Sequence, residues 1–298
     1  MAGIELGISE VIMEIKTFGV VGSGQMGSGI ALVAAMSGMK VLMNDIFKEC
    51  VEKGYRSIQR YLDRGIEKGK LTEAERNACL KRIQTSVALK DMAKADFVVE
   101  AATENPTVKF QIFKDLDAVC RSDVILATNT SSIPIGQIAV QTKRPEKVIG
   151  MHFMNPVPVM ALVEVIRGIS TSDDTFQATW GLTLALGKIP AEANDFPGFI
   201  ANRILMPMIN EAIFALYHGV GSREDIDTVM TLGANHPMGP LALADLIGLD
   251  VCLAIMETLF DGFKDTKYRP CPLLVKYVTA GWLGRKTGRG FYEYEEKK

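Results

Sequence analysis

The sequence contains little histidine, few cysteines and no long apolar run, and each shortage excludes a class of protein. Only three histidines are present, His152, His218 and His236, so chemistry that needs an imidazole near neutral pH must use one of them. The five cysteines are scattered without a CxxC spacing, which disfavours a disulfide framework or a zinc site and indicates reduced thiols in a cytoplasmic protein. No apolar run approaches the roughly 20 residues of a membrane-spanning helix, so no membrane segment is expected.

Charge of one sign is also lacking. With 33 basic and 35 acidic side chains, the formal net charge is −2, and a near-neutral chain is a poor nucleic-acid binder. Hydrophobic residues make up 48% of the sequence, which is typical of a globular protein. A chain of 298 residues is long enough for about two domains.

Short β-rich runs alternate with helical patterns over the first 190 or so residues. The predicted strands are Ile15–Val21, Lys40–Asp45, Ala95–Glu100, Val124–Thr128, Val148–Phe153 and Leu162–Ile166. This alternation predicts an α/β fold with a doubly wound, mainly parallel sheet. After Pro197, which suits the first turn of a helix, apolar residues repeat at helical spacing and predict an all-helical C-terminal domain.

We therefore expect three segments: an N-terminal extension over 1–14, a cofactor domain over 15–197 and a helical domain over 198–298. Because the first strand begins only after the extension, we also expect Met13 to be the true translation start. A capping sequence at Ser222 predicts a helix that ends at Gly233.

A glycine-rich turn follows the first strand and opens a helix. It has the spacing Gly22-x-Gly24-x-x-Gly27, and Asp45 closes the next strand, as in the Rossmann-type dinucleotide fingerprint. Glycines let backbone N–H groups approach a pyrophosphate at the helix N-terminus, and an acidic side chain binds the ribose hydroxyls. The pattern favours NAD(H); Lys48 leaves NADP(H) as the alternative, and the turn alone also fits FAD. The segment predicted to contact the cofactor comprises Gly22, Ser23, Gly24, Gln25, Met26 and Gly27.

His152 ends an apolar strand at the sheet edge where doubly wound folds bind ligands. Glu164 lies 12 residues later in an apolar strand, where an unpaired carboxylate would be costly. Pro156 and Pro158 turn the chain between them, so we expect the two strands to be neighbours and the side chains to pair. Such a carboxylate orients the imidazole and stabilises its protonated form, as a general base requires. A structural histidine is the alternative interpretation.

Other polar residues are weaker candidates. The segment Asn129-Thr130-Ser131-Ser132 follows a strand and fits either a ligand loop or an ordinary turn. Asn202 fits either a site residue or a helix cap, and its neighbour Arg203 either a ligand or an ion-pair partner. His218 and His236 occupy a helix end and a turn, which favours structural roles.

A basic stripe runs along the helix after Asp45, formed by Lys53, Arg56, Arg60 and Arg64. It is either a solvated face or a site for an anionic, phosphate-bearing substrate.

Taken together, these motifs resemble the short-chain 3-hydroxyacyl-CoA dehydrogenases, especially the bacterial 3-hydroxybutyryl-CoA dehydrogenases, over residues 15 to 295. The matching segments include GSGQMG, FVVEAATEN, ATNTSS, GMHFMNPVPVMALVEVI, DFPGFIANRIL and GRKTGRGFY. The resemblance implies reversible NAD(H)-dependent oxidation of a (3S)-3-hydroxyacyl-CoA to a 3-oxoacyl-CoA in butanoate or fatty-acid metabolism. It also implies a homodimer or a higher homo-oligomer.

The resemblance also implies roles for individual residues. His152 resembles the family's acid/base and Glu164 its orienting carboxylate, while Ser131 and Asn202 resemble the groups that hold the substrate. The remaining expected cofactor contacts are Asp45, Glu104, Lys109, Asn129, Asn155 and Lys286. Lys53 and Arg56 are the expected contacts for the CoA phosphates.

Two other functions fit the same fold. One is a different NAD(P)-dependent hydroxyacid or imine dehydrogenase, but those enzymes usually place a lysine base where this chain has Asn202 and Arg203. The other is an NAD-binding scaffold or redox sensor, which would have no need for His152 and Glu164 together.

Overall fold

The computed structural model describes residues 15–295. The predicted extension over 1–14, including the Met13 start, lies outside the described residues. The chain forms two compact units, the first ending at Asp195 and the second beginning at Phe196. The predicted domain boundary near 197 lies next to this division.

The first unit contains one eight-stranded sheet. Its strands are β1 (Thr17–Val21), β2 (Lys40–Asn44), β3 (Ile83–Ser86), β4 (Phe97–Glu100), β5 (Ile125–Thr128), β6 (Val148–Phe153), β7 (Leu162–Arg167) and β8 (Ile189–Asn194). They lie in the order β3-β2-β1-β4-β5-β6-β7-β8. All neighbouring pairs are parallel except β6 and β7, which are antiparallel. The predicted doubly wound, mainly parallel fold is confirmed.

Helices connect these strands. They are α1 (Gln25–Met36), α2 (Lys48–Glu67), α3 (Glu73–Arg82), α4 (Pro106–Val119), α5 (Ile135–Ala139) and α6 (Asp173–Ala185). The central strands are buried because helices cover them, and their side chains form one apolar core with α1 and α6. Within that core, Phe18 on β1 stacks on Phe97 on β4 with ring centroids 5.9 Å apart. This stacked pair joins β1 and β4 at their amino-terminal ends, whereas the candidate residues lie at the carboxyl ends of the strands.

The second unit is helical, as predicted. Its α-helices are α7 (Ala201–Tyr217), α8 (Arg223–Thr228), α9 (Pro240–Ile247), α10 (Leu249–Phe263) and α11 (Pro272–Thr279). Helix α8 starts as expected, since the Ser222 side chain accepts a hydrogen bond from the Asp225 backbone, and the predicted end at Gly233 is reached by a π-helical turn over Val229–Gly233. Among the described residues, none of the helices has the length and hydropathy of a membrane span.

Helix α7 begins later than predicted. It begins at Ala201, so the expectation that Pro197 lies in its first turn is wrong. Gly198 and Phe199 have positive φ angles, which a right-handed helix does not allow, so the helix starts only after them. Met206 and Ile213 of α7 are buried within the second unit, whereas Ile204 is 66% exposed.

Candidate active site

The antiparallel pairing of β6 and β7 places His152 directly opposite Glu164. The His152 Nδ1 and Glu164 Oε2 atoms are 2.8 Å apart, and the two residues are 8% and 1% exposed. An ionised carboxylate can only accept a hydrogen bond, so this contact places the proton of neutral imidazole on Nδ1 and its lone pair on Nε2. That is the tautomer required for a base that takes a proton through Nε2. The structure thus brings together the two residues that the sequence pairs.

The loop after β5 lies at the same carboxyl edge of the sheet. The side-chain oxygen of Asn129 accepts a hydrogen bond from the Phe153 backbone at 2.9 Å, so Asn129 ties this loop to the end of β6 beside His152. Ser131 is half-buried, and Glu104 accepts hydrogen bonds from its backbone N–H at 2.8 Å and from its hydroxyl at 3.2 Å. Thr130 donates to the same carboxylate at 2.6 Å. Glu104, assigned above to the cofactor, therefore holds the loop that carries Ser131.

The glycine-rich turn has the shape that a bound pyrophosphate requires. Gly22 has φ +99°, and a Cβ at Gly27 would lie 1.9 Å from the Gly22 carbonyl oxygen, so side chains at either position are excluded. At Gly24, by contrast, a Cβ would meet nothing within 4 Å, which leaves open space over the turn. Helix α1 begins there without a side-chain cap or an acidic residue in its first turn. Its N-terminal N–H groups and partial positive charge suit a phosphate, so these residues fit NAD.

Asp45 follows β2 and contacts the same turn. Its carboxylate accepts hydrogen bonds from the Ser23 backbone and hydroxyl, both at 2.8 Å. Helix α1 also reaches the loop after β6, because the Gln25 amide donates to the Asn155 side chain at 2.9 Å. Asp45, Gln25 and Asn155 therefore border the turn from two sides, while the Met26 side chain packs against the core.

Lys109 forms a buried ion pair with Glu100. It is 1% exposed, and its ammonium donates to the buried carboxylate of Glu100 and lies 3.4 Å from the Thr128 hydroxyl. Thr128 in turn donates to Glu100 at 2.9 Å. The buried pair joins α4 to the ends of β4 and β5, and contact between Lys109 and NAD stays a prediction. The sequence did signal Glu100, a carboxylate ending the apolar run FVVE, but no role was assigned to it.

The basic stripe lines a surface cavity of about 480 Å³ on α2. Lys53, Arg56 and Arg60 contribute to its wall, together with Arg76 from α3. Arg56 lies 3.6 Å from Glu52, an exposed pair that leaves its guanidinium accessible. Arg64 does not line this cavity.

Helix α2 also approaches the glycine-rich turn closely. A Cβ at Gly54 would lie 2.4 Å from the Ser23 carbonyl oxygen, so only glycine fits at this point of the helix. The basic stripe therefore lies on a helix that contacts the glycine-rich turn.

Two predicted residues belong to the second unit. Asn202 is half-buried in the first turn of α7. Its neighbour Arg203 stacks on the Phe263 ring at 4.1 Å, a contact that neither interpretation of that arginine, ligand or ion-pair partner, predicted. The Lys286 ammonium contacts the Asp250 carboxylate at 2.6 Å. The roles of Asn202 at the substrate and Lys286 at the cofactor stay predictions.

Comparison with known proteins agrees with this geometry. Residues 17–196 match the family model of the 3-hydroxyacyl-CoA dehydrogenase NAD-binding domain, and residues 198–294 match that of the C-terminal domain. The chain is 58% identical over 285 residues to a probable 3-hydroxybutyryl-CoA dehydrogenase of Bacillus subtilis, covering 96% of this chain and 99% of the relative. It is 55% identical to a 3-hydroxybutyryl-CoA dehydrogenase of Bradyrhizobium diazoefficiens, covering 95% and 97%.

A solved structure is similar over the whole fold. The (S)-3-hydroxybutyryl-CoA dehydrogenase of Ralstonia eutropha superposes with a TM-score of 0.93 at 52% identity, covering 95% of this chain and 100% of that one. An NAD-binding first unit, a helical second unit and two family models that span nearly the whole chain lead to one conclusion. The chain is an oxidoreductase that belongs to the 3-hydroxyacyl-CoA dehydrogenase family.

Proposed function

We propose that this protein interconverts (3S)-3-hydroxybutyryl-CoA and acetoacetyl-CoA with NAD(H). The observation that carries the proposal is the buried contact between His152 and Glu164 at the carboxyl edge of the sheet. A scaffold that only bound NAD would gain nothing from a buried carboxylate that orients an imidazole. The names of the relatives supply the short acyl chain, and the reduced cysteines favour a cytoplasmic enzyme.

The first unit supplies the residues that would hold the cofactor. The glycine-rich turn and the first turn of α1 accommodate the pyrophosphate, and Asp45 accepts hydrogen bonds from the ribose hydroxyls. Its negative charge would repel a 2′-phosphate, which favours NAD(H) over NADP(H). When bound, NAD supplies the acceptor for the hydride that leaves C3 of the substrate.

His152 moves the proton of the reaction. Its Nε2 atom takes the proton from the 3-hydroxyl as the alcohol is oxidised, and Glu164 stabilises the imidazolium that forms through the Nδ1–H contact. In the reverse direction the imidazolium returns the proton to the 3-oxygen. Ser131 and Asn202 hold the substrate's oxygen and thioester region, and Lys53 and Arg56 bind the CoA phosphates.

A spectrophotometric assay tests the proposal. The purified protein should consume NADH when acetoacetyl-CoA is added, do so more slowly with NADPH, and show no turnover with free acetoacetate. The substitution His152→Gln should lower kcat by about 10²–10⁴, the usual contribution of one positioned acid/base group, while NADH still binds.

The matched control is His218→Gln, which changes an exposed imidazole at the end of α7 and should leave kcat unchanged. If His152→Gln kept more than a tenth of the wild-type turnover, His152 would not be the base. If the wild-type protein reduced free acetoacetate as well as its CoA ester, the acyl-CoA assignment would be wrong.

We also propose that the active protein is a homodimer or a higher homo-oligomer. Two exposed apolar residues at the start of α7, Ile200 and Ile204, are four residues apart and so share a face that a second copy would bury. Light scattering at micromolar concentration should give at least twice the 32.6 kDa chain mass, and Ile204→Glu should lower it. A wild-type mass of one chain would refute this.

A further inference from the structure

Lys188 is a buried lysine that the mechanism does not use. It immediately precedes β8 and is 7% exposed, and none of the ion pairs between described residues includes it. Burial lowers the pKa of its ammonium below the usual range of a lysine. A charged group removed from water is costly unless polar partners compensate, so its contacts need a reason.

Those contacts all reach one loop. The Lys188 ammonium donates to the Val157 carbonyl oxygen at 2.6 Å and to the Met160 carbonyl oxygen at 2.8 Å. Both belong to residues 154–161, which join β6 to β7 and therefore connect His152 to Glu164. We call this segment the 154–161 loop. Because these two carbonyl groups lie in the turn at Pro156 and not in a strand, they have no backbone donor among the described residues. The Lys188 ammonium supplies the hydrogen bonds that they need.

The opposite side of the 154–161 loop contacts helix α1, which begins at the glycine-rich turn. Val157 is buried against α1 at Gly29, where a Cβ would lie only 2.8 Å from the Val157 side chain. Asn155 accepts the hydrogen bond from Gln25 at the start of that helix. The 154–161 loop is therefore held between Lys188 on one side and α1 on the other.

We propose that Lys188 is a positioning residue of the dehydrogenase: by fixing the 154–161 loop through the Val157 and Met160 carbonyl oxygens, it sets where Asn155 lies beside the glycine-rich turn. The inference rests on the proposed function, because its consequence is the alignment of bound NAD(H) with His152. A misplacement of about 1 Å at such a site costs roughly 10²-fold in rate. Loss of the two Lys188 hydrogen bonds should therefore lower kcat and raise the KM for NADH, and leave the KM for acetoacetyl-CoA unchanged.

The test is a double-mutant cycle. Lys188→Met keeps the length and apolar stem of the side chain but removes both hydrogen bonds, and it should lower kcat/KM for NADH by about 10- to 100-fold. Asn155→Ala should have a similar effect, and the double variant should lose little more than either single variant, since residues acting through one another are not additive. Lys114→Met, which changes an exposed lysine on α4 of the same unit, is the matched control and should behave as wild type.

Each result decides the inference. If the role of Lys188 were merely structural, Lys188→Met would lower the thermal midpoint, and the losses in kcat/KM of the two single variants would add in the double variant. Such additivity, or an unchanged kcat/KM in Lys188→Met, would overturn the inference. If Lys188→Met fails to fold by circular dichroism, Lys188→Arg replaces it: this variant keeps a buried cationic donor and should retain kcat/KM within about threefold, and a tenfold loss in a folded Lys188→Arg would overturn the inference. A wild-type protein without acetoacetyl-CoA reductase activity would instead refute the proposed function.

Discussion

Replacing Glu164 with Gln isolates the charge of the buried carboxylate from its shape. Glutamine has nearly the same size, so the packing of β7 is kept, but the side chain no longer carries the charge that stabilises imidazolium 2.8 Å away. A hydrogen bond to a charged group contributes about 1.5–3 kcal/mol, which corresponds to a loss of roughly 10- to 100-fold in kcat because the imidazolium forms during the reaction. The amide can also donate to Nδ1, which would move the imidazole proton to Nε2 and block proton uptake there.

The expected result for Glu164→Gln is thus a fall in kcat of about 10- to 100-fold, with KM values for NADH and acetoacetyl-CoA within about threefold of wild type. The measurement is steady-state NADH oxidation at saturating acetoacetyl-CoA, with circular dichroism to show that the variant is folded. Glu192→Gln on the neighbouring strand β8 is the matched control, since its carboxylate is half-exposed and lies 4.0 Å from Arg167. A Glu164→Gln enzyme that retains wild-type kcat would refute the reasoning that Glu164 acts through His152.

Three further predictions concern the cofactor turn, the buried ion pair and the thiols. Asp45→Ser should raise the KM for NADH about tenfold or more and improve the ratio of NADPH to NADH turnover, because the ribose acceptor and its repulsion of a 2′-phosphate are both lost; an unchanged ratio would contradict it. Lys109→Met should lower the free energy of unfolding by about 3–5 kcal/mol in a urea titration, since Glu100 is left buried without its partner, and adding Glu100→Gln should restore part of it. At pH 8 a thiol reagent should label Cys50 quickly but not Cys120, whose pKa burial raises to about 11, so that less thiolate forms; rapid labelling of both in the native protein would contradict the burial.

The central part of the sheet was predictable because its strands are buried on both faces and appear as continuous apolar runs. The strands missed by that pattern are β3 and β8, which lie at the two edges of the sheet. Strand β3 reads IQTS and β8 reads IPAEAN, so both carry exposed polar side chains, and β8 contains Pro190. Edge strands pair on one side only and are half-solvated, so they lack the apolar run that marks a central strand.

The candidate site shows the same division between local and long-range information. His152 and Glu164 were predictable as a pair because two strands joined by a short turn bring them together, and a buried carboxylate needs a partner. The hydrogen bonds from Ser131 to Glu104 join residues 27 positions apart on different loops, and those from Lys188 to the 154–161 loop join residues about 30 apart. Neither set of hydrogen bonds corresponds to a periodic pattern or a motif spacing in the sequence. Both depend on which loops become neighbours once the sheet has formed.

The buried ionisable side chains near the site share one arrangement. Glu100 with Lys109, Glu164 with His152, and Lys188 with two carbonyl oxygens each connect the end of a strand to a neighbouring strand, helix or loop. Apolar residues would pack more cheaply at these positions, since a buried charged pair contributes little net stability, but hydrophobic contacts are not directional. Hydrogen bonds to buried charged groups fix both distance and angle, which hydride and proton transfer at adjacent atoms require. If the proposed function is correct, the placement of these groups at the carboxyl edge of the sheet serves alignment of the reacting groups more than stability of the fold.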